Sequence, residues 1–271
     1  MDDQLLHRRD FLAGSLAAFL AMHFEGLGSG AASTAASWRP PAARRGPRLR
    51  RLRMQTHRLG AMRDFYRDLI GFPLAAETGE SVAFDAGATR LEFVQVRDGS
   101  EPYYHFAFNI PENKIPAAKA WLGRRVPILR HKETGEEVIH FEQWNAHSLF
   151  FYDPAGNLVE LIARHTLDNA APGAFDVKDV LYASEIGLVP PEQGSVFATI
   201  RDELKIEPYL DSASFLGDEH GIIIVIPKDV RWIPEFKKVG MLCPTWVTVA
   251  GHGDRQVRFK DLPFEIVSAP A

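Results

Sequence analysis

The stretch Ser148-Leu149-Phe150-Phe151-Tyr152-Asp153-Pro154-Ala155-Gly156-Asn157-Leu158-Val159-Glu160-Leu161-Ile162 constrains this chain more than any other. Two apolar runs flank a segment of turn chemistry. Pro154 sets one φ, and Gly156 and Asn157 accept positive φ at little cost, so the stretch predicts a tight hairpin. Its apolar strands belong to a sheet with little free water near it. Glu160 interrupts the second run. A carboxylate buried there without a partner costs several kcal/mol, roughly, so it calls for a metal, an arginine or a solvated sheet edge.

The chain before the hairpin reads as a repeat. Residues 49–57 form a strand of imperfect alternation. Leu59, Met62, Phe65, Tyr66, Leu69 and Ile70 then recur at helical spacing, with Gly71 as the stop. Strands at 72–76, 81–84 and 89–96 follow, giving the order β-α-β-β-β. Residues 103–110 open a second strand, Pro111 to Leu122 hold a helix, a hairpin turns at Thr134-Gly135 with Val138, His140 and Glu142 on its return, and the 148–162 hairpin closes the unit. After a polar, Ala- and Gly-containing linker at 166–179, the second half reads as strand 182–189, helix 196–204, and strands at 206–210, 213–216 and 222–226. The wholly apolar run from Gly221 to Ile226 must be central. Strands at 245–249, 257–259 and 264–267 make a last unit that lacks its helix.

The segment Phe151-Tyr152-Asp153-Pro154-Ala155-Gly156-Asn157-Leu158-Val159-Glu160-Leu161 closely resembles the final hairpin of the glyoxalase/bleomycin-resistance/extradiol-dioxygenase group, the vicinal oxygen chelate family. The resemblance covers residues 50–164 well and the second half more loosely. It implies an α+β fold of tandem βαβββ-module domains, the first at 49–165 and a degenerate second at 180–271. It also implies metal ligands on inner strand faces. His105 matches the opening strand of the second unit, Glu160 its closing strand, and Glu92 the strand where glyoxalase-type members carry a glutamate. Arg51 stands where dioxygenase-type members place a second histidine. A guanidinium cannot ligate and opposes a nearby cation, and His57 lies close by in the wrong register. In the second half, Glu185 and Glu265 occupy ligand-like positions, while Thr245 replaces the histidine.

Composition removes other classes. The 271 residues are 46% hydrophobic, enough for one large domain or two ordinary ones. The net charge is −4, and no basic face interleaved with aromatics marks a nucleic-acid binder. Cys243 is the only cysteine, which excludes an internal disulfide and a cysteine metal cluster; it reads as a buried small hydrophobe. Phosphate-binding glycine loops, a nucleophile elbow and a His-Glu-x-x-His helix are all missing.

At the N-terminus, His7-Arg8-Arg9-Asp10-Phe11-Leu12 precedes a mildly apolar run at 13–22 that is too short to span a membrane. It resembles a twin-arginine export signal, with His7 replacing the usual hydroxyl residue and Asp2 and Asp3 adding negative charge. The reading is an export signal at 1–31, a flexible linker at 32–48, and a periplasmic mature protein without a stable membrane span.

Two functions stand side by side. In the first, His105 and Glu160, with a third ligand from Glu92 or water, hold one divalent ion (Fe, Mn, Ni or Zn). The chain is then a lyase, isomerase or dioxygenase for a small vicinal-oxygen substrate, with Tyr104, Phe106, Trp144, His147, Phe151 and Tyr152 as pocket walls and His140 at the mouth. In the second, Glu160 pairs with Arg51 and the chain is a metal-free small-molecule-binding or structural member. Under either reading the expectation is a monomer with paired domains or a homodimer. Asp153 is expected to form the turn.

Overall fold

The computed structural model describes residues 46–269; the expected export leader and most of the linker lie outside them. The first unit comprises β1 (Arg48–Thr56), α1 (Leu59–Asp64, prolonged by a π-helical turn over Phe65–Ile70), β2 (Leu74–Glu77), β3 (Ser81–Ala86) and β4 (Thr89–Gln95). The second comprises β5 (His105–Ile110), α2 (Ile115–Gly123), β6 (Ile139–Phe141), β7 (Ala146–Tyr152) and β8 (Leu158–Arg164). The second half supplies β9 (Tyr182–Leu188), α3 (Gln193–Leu204), β10 (Phe215–Asp218), β11 (Gly221–Val225), β12 (Thr245–Ala250), β13 (Arg255–Arg258) and β14 (Phe264–Ala269). This is an α+β fold of repeated βαβββ-type modules, the last without a helix.

Local chemistry explains the elements. The apolar stripe of α1 and its extension buries Met62, Phe65, Tyr66 and Ile70, and Gly71 ends it at φ 94°, where a Cβ would be strained. Tyr66 stacks on Phe93 and Phe72, with ring centroids 5.4 and 5.8 Å away. In the β7–β8 hairpin, Asp153 Oδ1 accepts hydrogen bonds from the Ala155 and Asn157 amides, and Gly156 takes φ 80°. Two expected strands are altered. Residues 206–210 give only a bridge from Pro208 to Leu216 and a short 3-10 turn, because Leu210 and Asp211 take positive φ. The return strand at 138–142 is cut to β6, and Glu142 enters a 3-10 turn.

Two seven-stranded sheets result, in the orders β13-β14-β12-β1-β4-β3-β2 and β10-β11-β9-β5-β8-β7-β6. Both cross the linker at 166–179. The first unit pairs with the last, through antiparallel β1 and β12, and the second unit pairs with the third, through antiparallel β5 and β9. Each opening strand would otherwise expose a row of unpaired backbone groups. The sheets share one apolar core, to which Leu52, Met54, Phe84 and Phe93 contribute from the first sheet, and Phe106, Phe108, Leu149, Phe151 and Leu161 from the second. The other face of the second sheet carries a separate cluster of Phe141, Phe150, Leu158, Ile222, Ile224 and Trp232.

Candidate metal centre

Strand alternation decides which side chains meet on that second face. On β5, Phe106 and Phe108 enter the shared core, so His105 and Ala107 face the other way. Ala107 lies opposite Glu160 on parallel β8 and opposite Glu185 on antiparallel β9. One imidazole and two carboxylates therefore converge, with ligand atoms all within 4.8 Å of one another and all three residues buried. His105 Nε2 is 3.5 Å from Glu160 Oε2 and 3.8 Å from Glu185 Oε2. Its Nδ1 lies 3.1 Å from the Leu158 carbonyl; an N–H there donates to that oxygen and leaves the Nε2 lone pair turned to the carboxylates.

Arg164, two positions along the same face of β8 from Ile162, is completely buried and pairs through Nη2 with Glu185 Oε1. Its Nε donates to Asn109 Oδ1 at 3.3 Å, while Nη1 has no hydrogen-bond partner among the described residues. Trp232 closes over the centre, its ring 4.7 Å from the His105 ring, and Phe150 lies beyond at 6.4 Å.

The electrostatics follow from burial and crowding. Burial and the charge of Glu185 push Glu160 up to about 7. Burial raises Glu185 too, but His105 and Arg164 outweigh it and hold the group below the usual carboxylate value. For His105, burial disfavours the imidazolium, yet the two carboxylates prevail and raise it. The centre without an ion is thus two buried carboxylates competing for the same cations. That is a donor set a divalent ion fits, since one imidazole and two carboxylates suit Fe, Mn, Ni or Zn.

Other expected site residues lie elsewhere. Glu92 is in the first sheet, where Arg51 Nε donates to its Oε2 at 2.9 Å and Arg53 Nε lies 3.4 Å from Oε1. The expected Arg51–Glu160 pair is therefore replaced by Arg51–Glu92, because β1 joins β12 rather than β5. Glu265 is paired with Arg258 at 2.8 Å. Tyr104, Phe106 and Phe151 do not line the centre; they sit in the shared core, one alternation step away from it. Tyr104 is held there by accepting from the Gln55 amide and donating to the Pro244 carbonyl. Trp144 and Tyr152 pack against the cluster on the centre's face, and Tyr152 donates to Glu235 at 3.1 Å. His147 and His140 face the opposite side.

The two sheets are internal copies, and their registers align the centre with a second position. Glu92 lies opposite Arg53, which lies opposite Trp246, as Glu160, Ala107 and Glu185 do in the other sheet. His105 thus corresponds to Arg51, Glu160 to Glu92 and Glu185 to Trp246. In the first sheet a guanidinium occupies the cation's place, and that face is partly open, with the Arg51 side chain 51% exposed. Sequence reasoning underrated Glu185 because only the β5–β9 pairing brings it to His105. Arg164 was missed; a charge closing an apolar strand was its one signal.

The sequence model of the Glyoxalase/Bleomycin resistance protein/Dioxygenase superfamily matches residues 48–161. A candidate dioxygenase from Bacillus subtilis subsp. subtilis strain 168 has a similar fold, with a TM-score of 0.52 and 14% identity over 84% of this chain and 87% of that one. A lactoylglutathione lyase from Agrobacterium tumefaciens is 22% identical, with a TM-score of 0.34 over 45% of this chain and 94% of its own. A glyoxalase/bleomycin resistance protein/dioxygenase from Nocardioides is 18% identical, with a TM-score of 0.36 over 59% of this chain and 97% of its own. No curated protein matches this chain. The matched stretch 48–161, the module pair that contributes both His105 and Glu160, is the part of the chain that is similar to the Glyoxalase/Bleomycin resistance protein/Dioxygenase superfamily.

Proposed function

We propose that His105, Glu160 and Glu185 hold one divalent transition-metal ion and that the chain is a lyase, isomerase or dioxygenase acting on a small molecule with two adjacent oxygens. The observation that carries this reading is the convergence of the three donors on one buried sheet face. When bound, such an ion polarises a carbonyl or stabilises an enediolate or phenolate oxygen. The chain's own groups prepare the place. The Leu158 carbonyl orients His105 so that Nε2 faces inward. Arg164 engages Oε1 of Glu185 and leaves Oε2 toward His105. Trp232, Phe150 and Leu158 exclude water, which strengthens every charge interaction within.

A second reading, a metal-free binding module, is favoured by Arg164, whose guanidinium already balances one of the two carboxylates. Metal analysis of the full-length protein, purified anaerobically without chelator, separates the two. One equivalent of transition metal in the wild type, lost in His105→Ala and Glu160→Gln, supports the metalloenzyme. A metal-free wild type that also refuses added Fe(II), Mn(II), Ni(II) and Zn(II) leaves the binding module. The export reading rests on Arg8-Arg9 and Phe11-Leu12 alone. Changing both arginines to lysine should abolish export in a cell-fractionation assay, and unchanged partitioning would sink it.

A further inference from the structure

Three histidines gather on the face of the second sheet that turns away from His105. His140 on β6 and His147 on β7 are cross-strand partners, and their rings stack 4.4 Å apart. His165 follows the end of β8, and its Nε2 lies 2.8 Å from His147 Nδ1. The two rings are inclined at 71°. On the other side of His165, Nδ1 sits 3.6 Å from a Glu112 carboxylate oxygen. Alternation keeps the group apart from the first centre: His147 lies opposite Ala163, whose side chain enters the shared core, while Glu160 and Arg164 face the other way.

We propose that His147 and His165, completed by His140, form a second transition-metal site of the copper(II) or nickel(II) type. Two nitrogens each about 2.0–2.1 Å from one ion are about 2.9 Å apart at a right angle and about 3.4 Å apart in a tetrahedron. The observed 2.8 Å matches the right-angled arrangement, and tetragonal nitrogen-rich sites select Cu(II) or Ni(II) over tetrahedral Zn(II). Glu112 supplies the carboxylate that metal-binding histidines commonly have behind them: it draws the proton of His165 to Nδ1 and leaves Nε2 with its lone pair. His147 Nδ1 then donates to that lone pair, and on metal binding this proton moves through solvent to His147 Nε2, so that the ring stays neutral and Nδ1 turns its lone pair to the ion. His140 is exposed and turns out of the stack by side-chain rotation to add the third nitrogen.

The site does not depend on the His105 centre, and the test keeps the two apart. Full-length protein stripped of metal is titrated with Cu(II) near neutral pH, beside His105→Ala/Glu160→Gln and His147→Asn/His165→Asn variants. The variant lacking the first centre should still bind one Cu(II), with nitrogen splittings from at least two imidazoles in its electron paramagnetic resonance spectrum. His147→Asn/His165→Asn should lose that signal and weaken this binding by about 100-fold or more, and Glu112→Gln should weaken it by about tenfold. Circular dichroism should show each variant folded as the wild type is. If the first variant fails to fold, the wild type is compared directly with His147→Asn/His165→Asn, and a loss of one Cu(II) equivalent is expected. Equal stoichiometry and spectra with and without His147 and His165 would overturn the proposal.

Discussion

Arg164 is the permanent positive charge at the centre, beside the titratable His105. With Glu185 and Glu160 side by side and buried, its removal leaves two carboxylates and one imidazole to share whatever protons they can bind. Arg164→Met should therefore destabilise the metal-free protein by about 3–5 kcal/mol, read from urea unfolding. Saturating metal should restore part of this loss, because an ion that binds only the native state adds stability by mass action. No restoration would count against a metal at this place. Asp153 gives a pH prediction. Burial pushes it up to about 6 from an ordinary value of 3.8, although Tyr66, Asn157 and Ala155 all donate to it. Between those values the native state keeps a proton that the unfolded chain has released, so the group's contribution is full below about pH 4 and is lost as pH rises past about 6, a change of about 3 kcal/mol. Asp153→Asn should flatten this part of the stability profile relative to wild type in parallel denaturations.

At the scale of elements, the segment after β11 is the lid of the centre. Pro227 to Gly240 carries Trp232 to within 4.7 Å of His105, and Lys238 fastens the segment to the Gly156 carbonyl of the β7–β8 turn. Trp232→Ala should cost about 3–5 kcal/mol in stability while speeding metal uptake by the stripped protein in stopped-flow measurements. Unchanged uptake would show that ions enter by another route. The β3–β4 turn docks on the chain leading into β9. Ala88 donates to the Leu181 carbonyl at 2.8 Å, and Thr89 Oγ1 accepts from the Ala183 amide at 2.9 Å. Gly87 takes φ 59° there, and a Cβ would stand 2.0 Å from the Leu181 carbonyl oxygen. Gly87→Ala should destabilise by roughly 2 kcal/mol or more and loosen the link between the sheets, checked by thermal unfolding and by hydrogen exchange at Ala88 and Ala183.

For the molecule as a whole, the order of pairing matters more than any one strand. The isolated segment 46–165 would lose β12 from the edge of β1 and β9 from the edge of β5. Expressed alone it should associate or unfold without cooperativity, and adding the complementary segment 166–271 should recover a single transition; a cooperative monomer of 46–165 would contradict this. The apolar periodicity of α1, the turn chemistry at Asp153-Pro154-Ala155-Gly156-Asn157 and the alternation on β5 and β8 were legible in the chain, because each depends on residues a few positions apart. His105 and Glu160 were legible for the same reason, as polar groups set into otherwise apolar strands. Glu185 as a third donor, Arg164 as its counter-ion and Arg51 as the partner of Glu92 were not, because each depends on which opening strands pair, and strand periodicity is the same for every choice of partner. What the sequence determined by itself was the repeated module and the alternation along its strands, but not which face lines the centre: Tyr104, Phe106 and Phe151, expected as its walls, enter the shared core. The tertiary structure alone decided which modules share a sheet, and with that whether a carboxylate meets a histidine or a guanidinium.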